Sequence, residues 1–173
     1  MKLTALALLL PLALSACSGG AAGPAGAVRE GASLMTGVRF SQVDDNQLKW
    51  TLASKTARFE DGETRIYFDH PKMDMFENNR LTSRLNAETG FLNMTKKDAQ
   101  LEKAVRVDSE TDGMTLLTAR LFFSSEKNKI WTDDPVTILK GKTVTHGLGF
   151  TANPDLSEIV ITRQETTTLG KNE

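Results

Sequence analysis

The segment LASKTARF at positions 52–59 contains the pattern from which the architecture can be inferred. An apolar residue opens it, small residues follow where a chain can bend or pack closely, and an aromatic residue ends it. Variants of this pattern return as LNAETGFL at 85–92, LTARLFF at 117–123 and, more loosely, HGLGF at 146–150. A second apolar stretch follows each of them, near Ile66, Ala99, Ile130 and Ile159. Repeats of about 30 residues predict strand–turn–strand units that stack and bury one shared face.

Apolar and polar residues alternate with a period near two from position 38 onward, which is typical of strands with one buried face. The alternating apolar positions are Val38, Phe40, Leu48, Trp50, Leu52, Ile66, Phe68, Met73, Met75, Val105, Val107, Met114, Leu116, Val136, Ile138, Ile159 and Ile161. Polar segments that favour turns separate them, and prolines stand where strands are expected to begin or end. These breaks are the segments 44–47, 60–63, 77–80 and 125–129 and the residues Pro71, Pro135 and Pro154. The nearest candidate for a helix, 85–97, contains Thr and Gly and favours strand, so the sequence predicts an all-β fold.

The first 33 residues have a different character from the rest of the chain. Lys2 precedes an apolar run at 3–14 that is too short to span a bilayer comfortably and is typical of a signal peptide. The sequence LSAC that follows resembles a bacterial lipobox, and its Cys17 is the only cysteine. We therefore expect a lipoprotein signal peptide at 1–16, lipid attachment at Cys17, a lipid-anchored flexible linker at 17–33 and one folded domain at 34–173. The alternative is an ordinary signal peptide cleaved nearby, which would leave a soluble protein.

Charge and site chemistry exclude several functional classes. A net charge of −1 argues against a nucleic-acid-binding protein, which would carry a basic face. The only histidines, His70 and His146, lack the spacing of a metal site, and Asp69 is expected to point to the opposite face from His70. The aspartate pairs at 44–45 and 133–134 are expected to form turns. With no catalytic motif in the sequence, we expect a protein that is not an enzyme and needs no metal or cofactor.

The order of several segments resembles the LptC family, the periplasmic component of the lipopolysaccharide export ABC transporter. The segments are GVRFSQVDDNQLKWTLASKTARF, RIYFDHPKMDMF, LTSRLNAETGFLN and DDPVTI, and the resemblance spans about 37–164. The LptA bridge and the N-terminal domain of the outer-membrane translocon share the family's fold, but an anchor followed by one short domain is closer to LptC. Familiar LptC proteins have an uncleaved transmembrane helix instead of a lipid, and Ser18 would not favour inner-membrane retention under the enterobacterial sorting rule.

The resemblance implies an open, twisted β-jellyroll whose inner face holds the acyl chains of lipopolysaccharide. The residues expected to line this lipid groove are Trp50, Leu52, Phe68, Met73, Met75, Leu85, Leu116, Ile138, Phe150 and Ile161. The alternative for each of them is a place in a closed core. The resemblance also implies that the edge strands, 38–43 and 158–164, dock neighbouring jellyrolls through Val38 and Phe40 at one end and Ile159 and Ile161 at the other. The alternative is a pair of ordinary terminal strands.

These expectations combine into two functions. The first is a lipopolysaccharide-binding bridge, lipid-anchored in the periplasm at the inner membrane, that receives lipopolysaccharide from the exporter's membrane subunits and passes it to an LptA-like protein. The second is a structural or scaffolding envelope lipoprotein that binds protein partners only. A continuous apolar groove open at both ends would distinguish the two.

Overall fold

The computed structural model describes residues 32–60 and 64–168, and all regular structure in these ranges is strand. The strands are β1 (Ala32–Asp44), β2 (Gln47–Glu60), β3 (Arg65–Asp69), β4 (Lys72–Glu77), β5 (Arg80–Asn86), β6 (Thr89–Asn93), β7 (Asp98–Ser109), β8 (Met114–Ser124), β9 (Lys129–Lys140), β10 (Thr143–Ala152), β11 (Ile159–Ile161) and β12 (Glu165–Thr168). The all-β prediction is confirmed. The predicted signal peptide, Cys17 and the linker up to position 31 lie outside the described residues. No helix within the described ranges is long and apolar enough to cross a bilayer.

The strands form one open antiparallel sheet with two halves, which we call half-sheets A and B. Each long strand contributes one part of its length to half-sheet A and the other part to half-sheet B. β2 pairs with β4 through its first part and with β3 through its second, and β7 likewise pairs with β6 and then β5. Half-sheet A comprises the paired segments 38–44, 47–53, 72–77, 80–86, 105–109, 114–118, 135–140, 143–148 and 165–168. Half-sheet B comprises 32–36, 56–60, 65–69, 89–93, 98–102, 120–124, 129–132, 150–152 and 159–161. The result is the open jellyroll that the sequence predicts.

A single bend line separates the two half-sheets and crosses every layer of the fold. The ladders shift register between Glu102 and Val105, between Thr118 and Phe122, and between Leu148 and Phe150. Elsewhere on the bend line, the chain changes direction at residues whose backbone has positive φ. The positive-φ residues on this line are Gly37, His70, Lys103, Ala104, Gly149 and Arg163. All four sequence repeats span the bend line, which explains why small residues recur in them.

The apolar faces of the two half-sheets pack against each other and form one core. Phe40 of half-sheet A meets Phe68 of half-sheet B edge to face, with ring centroids 5.7 Å apart. Leu52, Met73 and Leu116 are completely inaccessible to solvent. Each such side chain contributes about 1.5–3 kcal/mol to stability when it is removed from water. The shared face that the repeats predict is therefore the interface between the half-sheets.

Tight turns join neighbouring strands where the sequence predicts them. Asp45 and Asn46 have φ of 48° and 60°, and Asn78 and Asn79 have φ of 50° and 60°, the signature of two-residue hairpins whose twist matches the strands. A third predicted turn, at 125–129, joins β8 to β9. The predicted turn at 60–63 falls mainly on residues that the structure does not describe.

Three local predictions were wrong. Asp133, Asp134 and Pro135 belong to β9, not to a turn. Pro135 lies on the bend line, where the ladder between β9 and β8 is interrupted between Trp131 and Val136, and proline is tolerated at such an irregularity. The predicted last strand at 158–164 is shorter, β11 at 159–161, because the chain bends at Arg163, whose φ is 48°. A further strand, β12 at 165–168, follows this bend and pairs with the same neighbour, β10.

Candidate functional site: the interior and its mouth

The residues predicted to line a lipid groove lie at the interface between the half-sheets. Nine of the ten are at most 6% exposed, and these are Trp50, Leu52, Phe68, Met73, Met75, Leu85, Leu116, Ile138 and Phe150. The tenth, Ile161, is half-buried and packs against the same core from β11. The structure therefore brings the set together, while contact of these side chains with lipid stays a prediction.

Sequence reasoning missed most of the interior of half-sheet B. Leu101, Leu121 and Ile130 are at most 3% exposed and belong to the same core cluster as the predicted set. Seven of the ten predicted residues belong to half-sheet A. Alternation along one strand identifies the buried face of that strand, but it does not show which residues of other strands pack against that face. A signal was present, since Leu121 and Phe123 end the repeat LTARLFF.

A cavity of about 420 Å³ opens between the ends of the two half-sheets, and we call it the mouth cavity. Trp50 and Phe123 lie at its apolar side, and its remaining lining is largely polar. The polar lining residues are Gln42, Asp44, Lys49, Glu77, Thr82, Ser125, Asn128, Asn153, Asp155 and Ser157. The cavity thus joins a polar entrance to the apolar interior, an arrangement that suits an amphiphilic ligand.

The loop between β10 and β11 closes one side of the mouth cavity. The hydroxyl of Ser83, in half-sheet A, donates a hydrogen bond of 2.7 Å to the carbonyl oxygen of Pro154 in this loop. Leu156 turns into the core, where it is 5% exposed, and its backbone N–H donates to the carbonyl oxygen of Asn153 at 2.9 Å. Because the loop leaves half-sheet B and is bonded to half-sheet A, it links the two half-sheets beside the entrance.

One polar atom at the boundary of the mouth cavity has no partner among the described residues. Trp50 Nε1 is buried, yet no acceptor in that part of the protein lies within hydrogen-bonding distance. A buried donor without an acceptor costs about 1–3 kcal/mol. An oxygen atom of a ligand entering from the cavity would relieve this cost.

The carboxylates with shifted pKa values lie away from the interior. Hydrogen bonds from Arg106 lower the pKa of Asp108, and a hydrogen bond from Lys140 lowers the pKa of Asp112. At the bend line, two hydrogen bonds from Arg120, of 2.8 and 2.9 Å, lower the pKa of Asp134. The three ion pairs lie on the outer surface: one is within β7, one joins the turn after β7 to β9, and one joins β8 to β9. They are structural features rather than a reactive site.

The histidines do not form a metal site with other residues of the described ranges. No cluster of three His, Cys, Asp or Glu side chains occurs in these ranges. The expectation that Asp69 and His70 point to opposite faces was wrong, since His70 Nδ1 lies 2.9 Å from Asp69 Oδ1. The reason is the positive φ of His70, which takes this residue out of the strand geometry on which the expectation rested. Both side chains are more than half exposed, which fits a surface pair at a turn.

Both ends of the sheet present an edge strand. Among the described residues, β1 pairs only with β2, and β11 and β12 pair only with β10. Val38 and Phe40 of β1, and Ile159 and Ile161 of β11, are half-buried and pack against the core. Each edge therefore combines free backbone groups with apolar side chains, and docking through these four residues stays a prediction.

Comparisons with known proteins identify one family. A family model described as lipopolysaccharide-assembly, LptC-related, matches residues 63–169, which is more than half of the chain. A solved structure of LptH from Pseudomonas aeruginosa, described as the LptA-homologous periplasmic component of the lipopolysaccharide transport device, is similar at 8% identity and a TM-score of 0.45. That match covers 80% of this chain and 95% of the other. A search of curated proteins finds no significant match.

Proposed function

Because the chain belongs to the LptC-related family of lipopolysaccharide-assembly proteins, we propose that it is a periplasmic bridge that binds lipopolysaccharide during export. The bridge receives lipopolysaccharide from the inner-membrane ABC transporter and passes it to an LptA-like jellyroll on the way to the outer membrane. The observation that carries the proposal, besides family membership, is the apolar interior between the half-sheets and the mouth cavity that leads to it. The protein performs no covalent chemistry in this role.

The acyl chains enter at the mouth cavity and replace side-chain contacts between the half-sheets. Trp50 and Phe123, at the apolar side of this cavity, are the first residues they meet. Removing acyl chains from water is favourable by about 25 cal/mol per Å² of apolar surface, so no other energy source is needed for binding. Met73 and Met75 adapt to irregular chains because their thioether side chains are flexible. Trp50 Nε1 supplies a donor to an oxygen of the glycolipid.

The two edge strands connect the domain to its neighbours by adding strands to the sheet. β1, with Val38 and Phe40, docks a jellyroll of the exporter's membrane subunits. β11, with Ile159 and Ile161, docks the LptA-like protein. Pairing of this kind satisfies the free backbone groups of each edge and continues the apolar interior from one domain to the next. Lipopolysaccharide therefore travels from the β1 edge to the β11 edge.

A lipid on Cys17 holds the bridge at the inner membrane after removal of the signal peptide at 1–16. Two or more acyl chains on one residue give stable anchoring, since each buried methylene contributes about 0.8 kcal/mol. The Gly- and Ala-rich linker at 17–33 lets the domain reach the exporter.

Photocrosslinking in cells tests the proposal with pairs of adjacent residues on opposite faces. A light-activated amino acid replaces the inward residue Leu85 or Met73, and the matched controls are their outward neighbours Asn86 and Lys72. We expect adducts with lipopolysaccharide from the inward positions alone. No lipid adduct from either inward position, in a protein that is folded and exported, contradicts the bridge.

A second candidate is a scaffolding lipoprotein that binds proteins only. The observation that favours it is the tight packing of the interior, where Leu52, Met73, Val107, Leu116 and Ile130 are fully inaccessible to solvent. A filled core of this kind is complete by itself. In the same experiment, this candidate predicts crosslinks to proteins from positions on β1 and β11 and none to lipid from Leu85 or Met73.

A further inference from the structure

A row of aromatic side chains crosses the outer face of half-sheet B, on the opposite side of the sheet from the core. Tyr67 of β3 is paired with Phe91 of β6, and Phe122 of β8 is paired with Trp131 of β9. Gln100 of β7 stands between the two pairs, since its partners in the ladders are Phe91 and Phe122. All four rings are half-buried and outward-facing. None of them contributes to the interior proposed to bind lipid.

The rings are arranged as two walls with a gap at Gln100. Phe122 and Trp131 stack with centroids 5.5 Å apart and planes 19° apart, whereas Tyr67 and Phe91 are 6.0 Å apart and tilted by 55°. Because neighbouring strands are about 4.8 Å apart, Phe91 and Phe122 flank a gap that is about 10 Å wide between backbones. A cleft of about 180 Å³ occupies this position, and we call it the aromatic cleft.

Polar groups form the floor and ends of the aromatic cleft. Gln100, Asn93 and Asp98 line it, and Asp98 Oδ1 is buried without a hydrogen-bond partner in the described ranges. Gln100 donates its side-chain N–H to Glu102, which fixes the orientation of its amide. The cleft thus combines aromatic walls with planar hydrogen-bonding groups at its base.

Two cationic side chains lie over the aromatic rings that form the walls of the cleft. The Arg65 guanidinium lies 5.0 Å from the centroid of Phe91, and Lys127 Nζ lies 5.8 Å from the centroid of Trp131. Neither of these two cations makes a salt bridge with a carboxylate of the described residues. A third cation, Lys96, lines the cleft. Arg65, Lys96 and Lys127 against Asp98 make the immediate surroundings positive, which favours an anionic ligand.

We propose that the aromatic cleft binds a sugar ring that carries a phosphate or carboxylate group. The C–H faces of a pyranose stack on aromatic rings, its hydroxyl groups exchange hydrogen bonds with Gln, Asn and Asp side chains, and its anionic group meets Arg65 and Lys127. The volume of the cleft suits one ring. A membrane surface fits less well, since the rings are half-buried and covered by cations, and lipid would remove water from the polar floor without replacing its hydrogen bonds.

Fluorescence titration of the full chain tests this site, because Trp131 is the only tryptophan left after Trp50→Phe. Cys17→Ala in the same chain prevents lipid attachment. The probes are a glucosamine phosphate, N-acetylmuramic acid, neutral N-acetylglucosamine, and vesicles of phosphatidylcholine with phosphatidylglycerol. We expect saturable changes in Trp131 emission with an anionic sugar and binding about tenfold weaker for the neutral one, since a charge-assisted contact is lost.

Variants assign the response to the cleft. Arg65→Gln with Lys127→Gln is expected to weaken binding of the anionic sugar about tenfold. Lys142→Gln, an exposed lysine in the turn between β9 and β10, is the matched control and leaves binding unchanged. A response to the sugar phosphate alone indicates a phosphorylated glycolipid headgroup as the source, and a response to the sugar carboxylate alone indicates an acidic cell-wall glycan.

Two results overturn the proposal. One is binding to vesicles but to no sugar, lost in the same double variant, which would make this face a membrane contact. The other is the absence of any response from Trp131 in a folded chain, which would make the aromatic row a purely structural set of cross-strand pairs. Neither result bears on the interior, which the crosslinks at Leu85 and Met73 test separately.

Discussion

Trp50 and Phe123 meet edge to face, with centroids 6.4 Å apart and planes at 80°, although they belong to opposite half-sheets. Both are nearly inaccessible, and both line the mouth cavity. The contact therefore joins the two half-sheets at the boundary between the polar entrance and the apolar interior.

Phe123→Ala is expected to lower the free energy of unfolding by about 3–5 kcal/mol, because it leaves a cavity in a packed core. Trp50→Phe is expected to change it by less than about 1.5 kcal/mol, since the lost ring area is offset by removal of an unpaired buried N–H. Urea denaturation followed by circular dichroism measures both values. Equal losses in the two variants would mean that Trp50 Nε1 has a partner.

Gly147→Ala is expected to displace β11 from the edge of the sheet. A Cβ atom at position 147 would collide with Cγ2 of Ile161, and a β-branched side chain has little freedom to move away. Hydrogen exchange at Val160 and Ile161 should therefore accelerate in the variant. Adding Ile161→Ala should restore protection, and failure of this rescue would place the strain elsewhere.

Two asparagines with the same backbone conformation are expected to respond differently to glycine. Asn46→Gly should raise the melting temperature, because glycine adopts a φ near 60° without strain. Asn79→Gly should lower it or leave it unchanged, because Asn79 Oδ1 accepts a hydrogen bond of 2.9 Å from the backbone N–H of Leu48. Thermal unfolding of both variants makes the comparison, and an equal gain in the two would show that this bond contributes nothing.

Asp134→Asn is expected to destabilise the protein at neutral pH but not in acid. The Arg120 guanidinium lowers the pKa of Asp134 below the ordinary 3.8, so this ion pair stabilises the fold above that pH. The contribution is lost as pH falls through the lower pKa of the folded state. We expect a melting temperature about 1–3 °C lower than that of the wild type at pH 7, with the difference disappearing as pH falls through the lowered pKa of Asp134.

The matched control for this prediction is Asp133→Asn. Asp133 precedes Asp134 in β9 but forms no salt bridge with Arg120 within the described residues. Its substitution should change the melting temperature less at pH 7. An effect of the same size at both positions would mean that general charge, not the Arg120 contact, is responsible.

The class of fold and the positions of many strands could be predicted from the sequence. Alternation, hairpin turns and the repeats are local signals, and the strands at 65–69, 98–109, 129–140 and 159–161 start within one residue of their expected positions. The bend line was not predictable, because register shifts depend on which strands pair on each side. Pro135 illustrates this, since its tolerance follows from its place on that line.

The interior was predicted in part and the aromatic row was not. Trp50 and Leu52 follow from alternation, whereas Leu101 becomes an interior residue only because half-sheet B folds over half-sheet A. Phe91, Phe122 and Trp131 come from three different strands, and their row exists only in the paired register. No periodicity along the chain connects them.

The bend line also has a mechanical consequence. The bend line crosses the strands at the same level of the sheet, so the hydrogen-bonded ladders lie on either side of it. Rotation of one half-sheet about this line therefore leaves the ladders intact. Such a molecule resists deformation within each half-sheet, whereas the angle between the two half-sheets can change. Opening costs apolar contacts such as that between Phe40 and Phe68 and, beside the mouth cavity, the hydrogen bond from Ser83 to Pro154. A guest that supplies equivalent apolar contacts would offset most of this cost and hold the half-sheets apart.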